Sequence, residues 1–165
     1  MIFDFAQYME NVAISLKDIQ HTNENRKFYK ISSIFSLEGF LYDLRNASET
    51  IMLIDTSVEG SIGTKGSDNF MDNPSYKFYI LKKSKLSDSN QEEQIKKECK
   101  AIGMKILSKM LKDKTQGIEG LLYLDFSQIP YITVGPLANQ WYGVEFFFTV
   151  RTYNNELVYN PNDWL

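Results

Sequence analysis

Residues 141–153 read WYGVEFFFTVRTY, and this stretch decides the fold. Apolar and polar side chains alternate along it, as they do in a β-strand that buries one face in a core. The residues predicted on the buried face are Tyr142, Val144, Phe146, Phe148 and Val150. The residues predicted on the wetter face are Glu145, Thr149 and Arg151, together with Phe147 as its one apolar member. We therefore expect the longest strand of a sheet here.

The strongest helix pattern lies upstream of this strand and starts near Ser89. Ser89 and Glu92 have the spacing of a capping box, which satisfies free N–H groups at a helix start. Asn90 and Glu93 repeat that spacing. Apolar residues then recur at helical intervals and predict one buried stripe. They are Ile95, Cys99, Ile102, Ile106 and Met110, widened by Leu107 and Leu111. Gly117 supplies a stop signal.

The remaining segments complete an α+β pattern. Apolar residues from Ile2 to Leu16 recur every three or four positions and predict an N-terminal helix. Ser36 is a good N-cap for a second, shorter helix that reaches Leu44. Short strands are predicted over residues 50–56, 76–81, 121–126 and 131–134.

This order of elements contains no βαβ repetition, which argues against a doubly wound parallel sheet. We expect one domain over residues 1–165, with a mostly antiparallel sheet. The long capped helix should pack on one face of the sheet, and the N-terminal helix should lie beside it.

Residues 57–75 are rich in Gly, Asn and Asp and predict a long protruding loop or a hairpin tip. A phosphate-binding loop does not fit, because Lys65 precedes Gly66 and no helix start follows. Phe70 and Met71 are apolar residues in this otherwise polar segment. They either fold back on their own sheet or contact a neighbouring molecule.

Composition restricts the class of protein. The chain has 165 residues, 43% of them hydrophobic, which is enough for a packed core. A formal charge of −3 gives no general attraction to nucleic acid. The sequence start has an acidic residue, Asp4, and no long apolar run, so neither a signal peptide nor a membrane span is expected.

No recognisable constellation of catalytic or metal-binding residues occurs in the sequence. The single cysteine, Cys99, and the single histidine, His21, cannot build a common zinc site. Asp55 and Asp125 fall near predicted strand ends, but neither is accompanied by a histidine or a second acid at a diagnostic spacing. We therefore expect a protein that is not an enzyme and that uses no cofactor.

Lysines give the long helix a basic outer face. They are Lys96, Lys97, Lys100, Lys105, Lys109, Lys112 and Lys114. Such a face is either a solvated surface or a docking site for an acidic partner or for passing DNA.

Residues 50–153 also suggest a family. They comprise the strand IMLI at 51–54, the long loop, the strand YKFYIL at 76–81, the capped helix, and the closing segments VGP at 134–136 and WYGVEFFF at 141–148. This layout resembles the tail-terminator and tail-completion proteins of tailed bacteriophages. The segment 26–35 and the second helix exceed what a minimal terminator needs, which leaves open the neck or tail component involved.

The resemblance implies a structural role. Family members form a ring, typically a hexamer, at the tail/neck junction, where they contact tail-tube and neck proteins and let DNA pass. It also implies assembly in the host cytoplasm, a final place in the virion, and no membrane. The residues suited to subunit and partner contacts are Phe70, Met71, Lys65, Asp68, Lys105, Lys109, Lys112 and Trp164. A tryptophan so near the end of the chain is predicted to sit in a groove of this chain or of a neighbour.

Two alternatives remain at this level. One is a non-viral module that uses the loop and the aromatic sheet to bind a peptide or another protein. The other is a small enzyme that uses Asp55, Asp125 and a loop lysine.

Overall fold

The computed structural model describes residues 3–44, 49–64, 70–84, 88–118, 120–138, 140–153 and 159–164. They form three α-helices, a six-stranded sheet and one short 3-10 helix. In chain order the elements are α1 (Phe5–Ser15), β1 (Phe28–Ile31), α2 (Ile34–Asp43), β2 (Ile51–Thr64), β3 (Phe70–Lys83), α3 (Ser89–Thr115), β4 (Tyr131–Leu137), β5 (Trp141–Thr149), β6 (Thr152–Tyr153) and the 3-10 helix Pro161–Asp163. The α+β class is confirmed.

The sheet has the order β1-β2-β3-β5-β4, and β6 pairs with β3 outside this path. The pairs β2–β3, β3–β5, β4–β5 and β3–β6 are antiparallel, whereas β1 and β2 are parallel. The segment β1-α2-β2 is therefore a single βαβ unit, because parallel neighbours need a crossover. The sheet is mostly antiparallel, as predicted.

The larger core lies between one face of the sheet and the helices α1 and α3. From α3 it takes the predicted stripe Ile95, Cys99, Ile102, Ile106 and Met110, together with Leu107. From α1 it takes Phe5, Met9, Val12 and Ala13. The sheet contributes Phe78 and Phe146, whose rings stack at 4.9 Å. Gly103 lets α3 approach, because a Cβ there would lie 2.1 Å from Cε2 of Phe146.

A smaller core covers the other face of the sheet, where α2 packs. It consists of Ile31, Leu37, Leu41, Ile51, Leu53, Tyr79, Leu81 and Trp141. This second layer corrects the prediction for Glu145, which was placed on a wetter face and is buried. Strand β5 is covered on both faces. Its successive side chains therefore point alternately into the larger and the smaller core, and not alternately into a core and into solvent.

The ends of the helices differ slightly from the predicted ones. Asp88 caps α3, since its carboxylate accepts the N–H of Asn90 at 2.9 Å, instead of the predicted capping boxes. Gly117, with φ of +70°, follows the end of α3 as expected. The N-cap of α2 is Ser33 and not Ser36. Leu111 is exposed, so the buried stripe of α3 is narrower than predicted.

The strand predicted at 121–126 is wrong. Residues 121–123 form a turn, and only Leu124 makes an isolated bridge, to Val150. Leu121 and Leu124 are buried, whereas Leu122 and Tyr123 are exposed. That spacing of three suits a turn and not the alternation of a strand.

Of the two alternatives predicted for residues 57–75, the loop is wrong for most of the segment. Residues 57–64 continue β2 and residues 70–75 begin β3, and the two strands pair up to Thr64 and Phe70. The hairpin alternative is therefore the correct one. Long-range pairing overrides the loop-like composition, since β-propensity depends strongly on context. Residues 65–69 lie outside the described part of the chain.

Candidate functional site

The far half of the β2–β3 hairpin, here called the arm, consists of residues 58–64 and 70–75. Its β3 strand has β6 on its outer side, where Met71 pairs with Tyr153. Its β2 strand is paired only with β3, because β1 ends its pairing at Asp55. The outer edge of β2 in the arm is therefore open among the described residues. Ile62 on this edge is 59% exposed.

A second open edge is provided by β4, the last strand of the sheet. Tyr131, Ile132 and Thr133 are all exposed, Ile132 by 53%. An exposed edge strand offers unpaired N–H and C=O groups to another strand, and proteins normally protect such edges with charge, proline or bulges. Residues 131–137 carry no charge, although Pro136 and a register shift limit the edge near its end.

The outer edge at β1 is different. This strand has only four residues, and Lys30 on it forms an ion pair with Glu10 of α1, with Nζ and Oε2 3.1 Å apart. Short length and charge are two of the devices that block pairing with another strand. Among the described residues, the longer edges without such protection are thus β4 and the arm, since the edge strand β6 has only two residues.

Backbone groups along β4 alternate between pointing toward β5 and pointing away from it. The N–H of Phe147 donates to the C=O of Pro130 at 3.0 Å. Pro130 therefore points toward β5, and every second residue after it does the same. Ile132 is consequently bonded to β5, whereas Tyr131 and Thr133 direct their N–H and C=O groups outward.

The arm follows the same rule. The C=O of Pro74 accepts the N–H of Val150 at 3.4 Å and so points away from β2. Its partner Gly60 therefore directs its backbone to the open edge, and Ile62 and Thr64 do the same. The glycines obscure this strand in the sequence, where Val58 and Ile62 are the only apolar residues of the segment 58–64.

The predicted contact residues at the arm have separate outcomes. Met71 is only 9% exposed and lies in β3, so it folds onto its own sheet. Phe70 is the first residue of β3 and is half-buried. Neither residue lies in a loop, which corrects the prediction. Lys65 and Asp68 lie outside the described residues.

The lysines on α3 are largely engaged within the chain. Lys105 pairs with Asp18 at 2.9 Å, and Lys109 pairs with Asp113 at 2.7 Å. The ammonium group of Lys100 lies 4.1 Å from the ring centre of Tyr131. Lys112 is exposed. Several lysines of the basic face are therefore engaged in contacts within the chain. The positive charge that is free to attract a partner is smaller than the sequence suggests.

Near the end of the chain, Trp164 is 69% exposed and stacks on the exposed ring of Tyr159, with centroids 6.2 Å apart. The two residues flank the 3-10 helix Pro161–Asp163. Among the described residues Trp164 lies in no groove of its own chain, and the contact with a neighbour stays a prediction.

A polar cluster is buried on the α2 side of the sheet. Tyr79 donates its hydroxyl to Oε1 of Glu145 at 2.7 Å. Burial raises the pKa of Glu145, and the nearby carboxylate of Asp55 raises it further. Asp55 accepts the N–H and the hydroxyl of Ser57 at 2.8 and 2.6 Å. These groups satisfy one another, which indicates a structural role.

The residues considered for catalysis do not converge. Asp125 pairs with Arg151 at 2.5 Å, whereas the partner of Asp55 is Ser57, so the two acids have different partners. His21 accepts the N–H of Lys27 through Nδ1 at 3.2 Å. Burial raises the pKa of the Cys99 thiol to about 12, which keeps it protonated and unreactive at neutral pH.

Two further absences hold for the part of the chain that the structure describes. No group of three or more His, Cys, Asp or Glu side chains there could hold a metal ion. None of the helices is both long and apolar enough to cross a membrane.

The features that the described chain presents to a partner are thus the open edge of β4, the open edge of the arm and the Tyr159–Trp164 stack. Comparison with protein-family models and with curated protein sequences finds no match for this chain.

Proposed function

We propose that this chain is a structural subunit that assembles with copies of itself into a ring. The observation that supports the proposal is the pair of open edges on one sheet. The edge of β4 and the outer edge of the arm lie at opposite edges of the sheet. Each copy can therefore contact one neighbour at the β4 edge and another at the arm edge. Contacts between two different edges join subunits head to tail, and such contacts form a ring when the rotation from one subunit to the next closes.

The ring fits the role that the resemblance to phage tail-terminator and tail-completion proteins implies. We propose a place at the tail/neck junction of a tailed phage or prophage, with tail-tube and neck proteins above and below the ring. Assembly would take place in the host cytoplasm before incorporation into the virion. The small net charge of −3 suits a channel through which DNA passes without adhering.

A peptide-binding module is the second candidate, because an open edge strand also accepts an extended peptide as an added strand. The edge of β4 supports this reading by itself. It does not account for the second open edge on the arm.

Sedimentation velocity and native mass spectrometry over a wide range of protein concentration test the proposal. We expect one closed species with a fixed number of subunits, a hexamer if the family resemblance holds, in equilibrium with the monomer. A strict monomer at every concentration would contradict ring assembly and favour the peptide-binding module.

A further inference from the structure

We propose that the ring is closed by strand pairing between β4 of one copy and the arm of the next. The open edge of residues 131–134 would lie antiparallel to the open edge of residues 60–64, so that one sheet runs through the whole ring. This inference rests on the ring assembly proposed above and names the contact that forms it.

The topology determines the direction of the pairing. From β2 to β3, β5 and β4 each step is antiparallel, so β4 runs opposite to β2. The copies in a ring are related by rotation about the ring axis. When the sheet follows the ring, this rotation leaves the strand direction, and the side of the sheet that carries α1 and α3, the same in every copy. The β2 strand of the next copy therefore arrives antiparallel to β4, with its α1 and α3 face on the same side.

The backbone groups of the two edges agree with this direction. In an antiparallel pair, directly opposite residues share the same face and the same hydrogen-bonding class. Thr133 and Ile62 both direct their backbone groups outward and both have side chains on the α1 and α3 face. The pairs Thr133–Ile62 and Tyr131–Thr64 thus form a ladder in which Ile62 gains apolar cover from the neighbour.

The neighbour's own β1 does not obstruct this pairing. Strand β1 pairs with β2 only from Met52 to Asp55, and the arm edge begins beyond it. The incoming β4 would lie end to end with that β1 along the same β2. This arrangement shifts each copy along the strands relative to its neighbour, so the strands are inclined to the ring axis.

Charge does not oppose a second copy as the occupant. Residues 131–137 have no charged side chain, and residues 58–64 have only Glu59. Glu59 is held by Lys77 at 2.9 Å within the same chain. Neither edge repels the other, and pairing removes both from solvent at once. Pro136 confines the ladder to the first part of β4.

Engineered disulfides test the contact. In the variant Ile62→Cys/Thr133→Cys the opposed Cα atoms would lie about 5.5 Å apart between copies, within the range a disulfide spans. Within one copy β3 and β5 separate the two positions by at least roughly 14 Å, which prevents an internal bridge. Cys99 is fully buried and does not react. Mild oxidation with oxidised glutathione, followed by non-reducing electrophoresis, gives the readout.

Matched controls identify the geometry. Each single variant should stay uncrosslinked, because a copy then offers a thiol on one edge only. Ser61→Cys/Thr133→Cys should also stay uncrosslinked, since Ser61 has its side chain on the opposite face. A second pair, Thr64→Cys/Tyr131→Cys, tests the same register one step along the ladder.

We expect a covalent ladder ending at the ring mass for both double variants and for neither control. Crosslinking of a single variant would mean that like edges pair, and it would overturn the inference. A ring seen by sedimentation without a ladder in either double variant would also overturn it, while ring assembly itself would stand. Absence of both the ring and the ladder would contradict the proposed function as well.

Discussion

The middle strands of the sheet and its margins, the β4 edge and the arm edge, differ in how far they are covered by the rest of the chain. Strands β3 and β5 are covered on both faces, by α1 and α3 on one side and by α2 on the other. The β4 edge and the arm edge expose apolar side chains and outward backbone groups. The centre therefore holds the fold together, and the margins are free to bind without loss of stability.

This contrast separates the effects of substitutions. A change at the centre should lower the free energy of unfolding and should affect assembly only through folding. A change at a margin should leave the free energy of unfolding almost unaltered and should weaken assembly.

The largest effect is expected for Phe146→Ala. Phe146 is 1% exposed, stacks on Phe78 and faces Gly103. Loss of a buried phenylalanine leaves a cavity and costs about 3–5 kcal/mol. Urea unfolding followed by circular dichroism measures the difference. The adjacent Phe147→Ala, at a half-buried position, is the matched control and should cost clearly less. Equal losses would mean that the depth of burial within β5 does not determine the cost of the substitution.

A smaller effect is expected for Asp113→Asn. Asp113 accepts the hydroxyl of Tyr8 at 2.8 Å and the ammonium group of Lys109 at 2.7 Å, and so links α1 to α3. Loss of a charge-assisted hydrogen bond costs about 1–3 kcal/mol. Asp18→Asn, which removes the partner of Lys105 at the surface, should cost at most about 1 kcal/mol.

The stability provided by Asp113 should depend on pH. Burial acts to raise the pKa of this carboxyl, but the hydrogen bonds from Lys109 and Tyr8 outweigh it and hold the pKa below its ordinary value. Its contribution is present above the unfolded pKa and is lost as the pH falls through the folded value. The difference between wild type and Asp113→Asn should accordingly shrink in acid. A constant difference would argue against the charged link.

Glu145 should show the opposite dependence on pH. Burial raises its pKa above the ordinary value of a glutamate, so ionisation opposes folding as the pH rises from that ordinary value through the raised one. Glu145→Gln keeps an acceptor for the Tyr79 hydroxyl and removes the charge. The stability of the variant relative to wild type should increase with pH in unfolding experiments from acid to neutral. A difference that is independent of pH would mean that the charge of Glu145 costs nothing.

The smallest effect on stability is expected for Ile62→Ser on the arm. A surface substitution away from core and caps changes the free energy of unfolding by within about 0.5 kcal/mol. Assembly should nevertheless weaken, because Ile62 lies at the proposed contact. Thermal unfolding and sedimentation of the same sample measure the two quantities. Unchanged assembly would count against the arm as an interface.

The sequence predicted the parts of the fold that depend on local periodicity. The stripe of α3 from Ile95 to Met110 and the buried alternation of β5 are both present. Strand β1 was missed because it has four residues in a polar context and exists through parallel pairing with β2. For the arm, the sequence leaves a loop and a hairpin tip as alternatives, because Gly60 and Gly63 are typical of loops, whereas pairing with β3 makes them strand residues.

The candidate site was less predictable than the fold. Whether a strand is open depends on the order of strands in the sheet, and residue patterns do not encode that order directly. Residues 131–134 were identified as a strand, but their position at an edge follows only from the pairing with β5. The lysines of α3 were predicted as a free basic face, since their partners such as Asp18 are distant in sequence.

Residue-resolved amide hydrogen exchange tests the central claim most directly. In the dilute protein the outward amides of Tyr131 and Thr133 should exchange fast, and those of Ile132 and Val134 should be protected by β5. As the protein assembles, Tyr131, Thr133 and Ile62 should become protected, while amides of the central strands stay unchanged. Assembly without any gain of protection at Tyr131 and Thr133 would contradict the claim that the open edges are the contact surface.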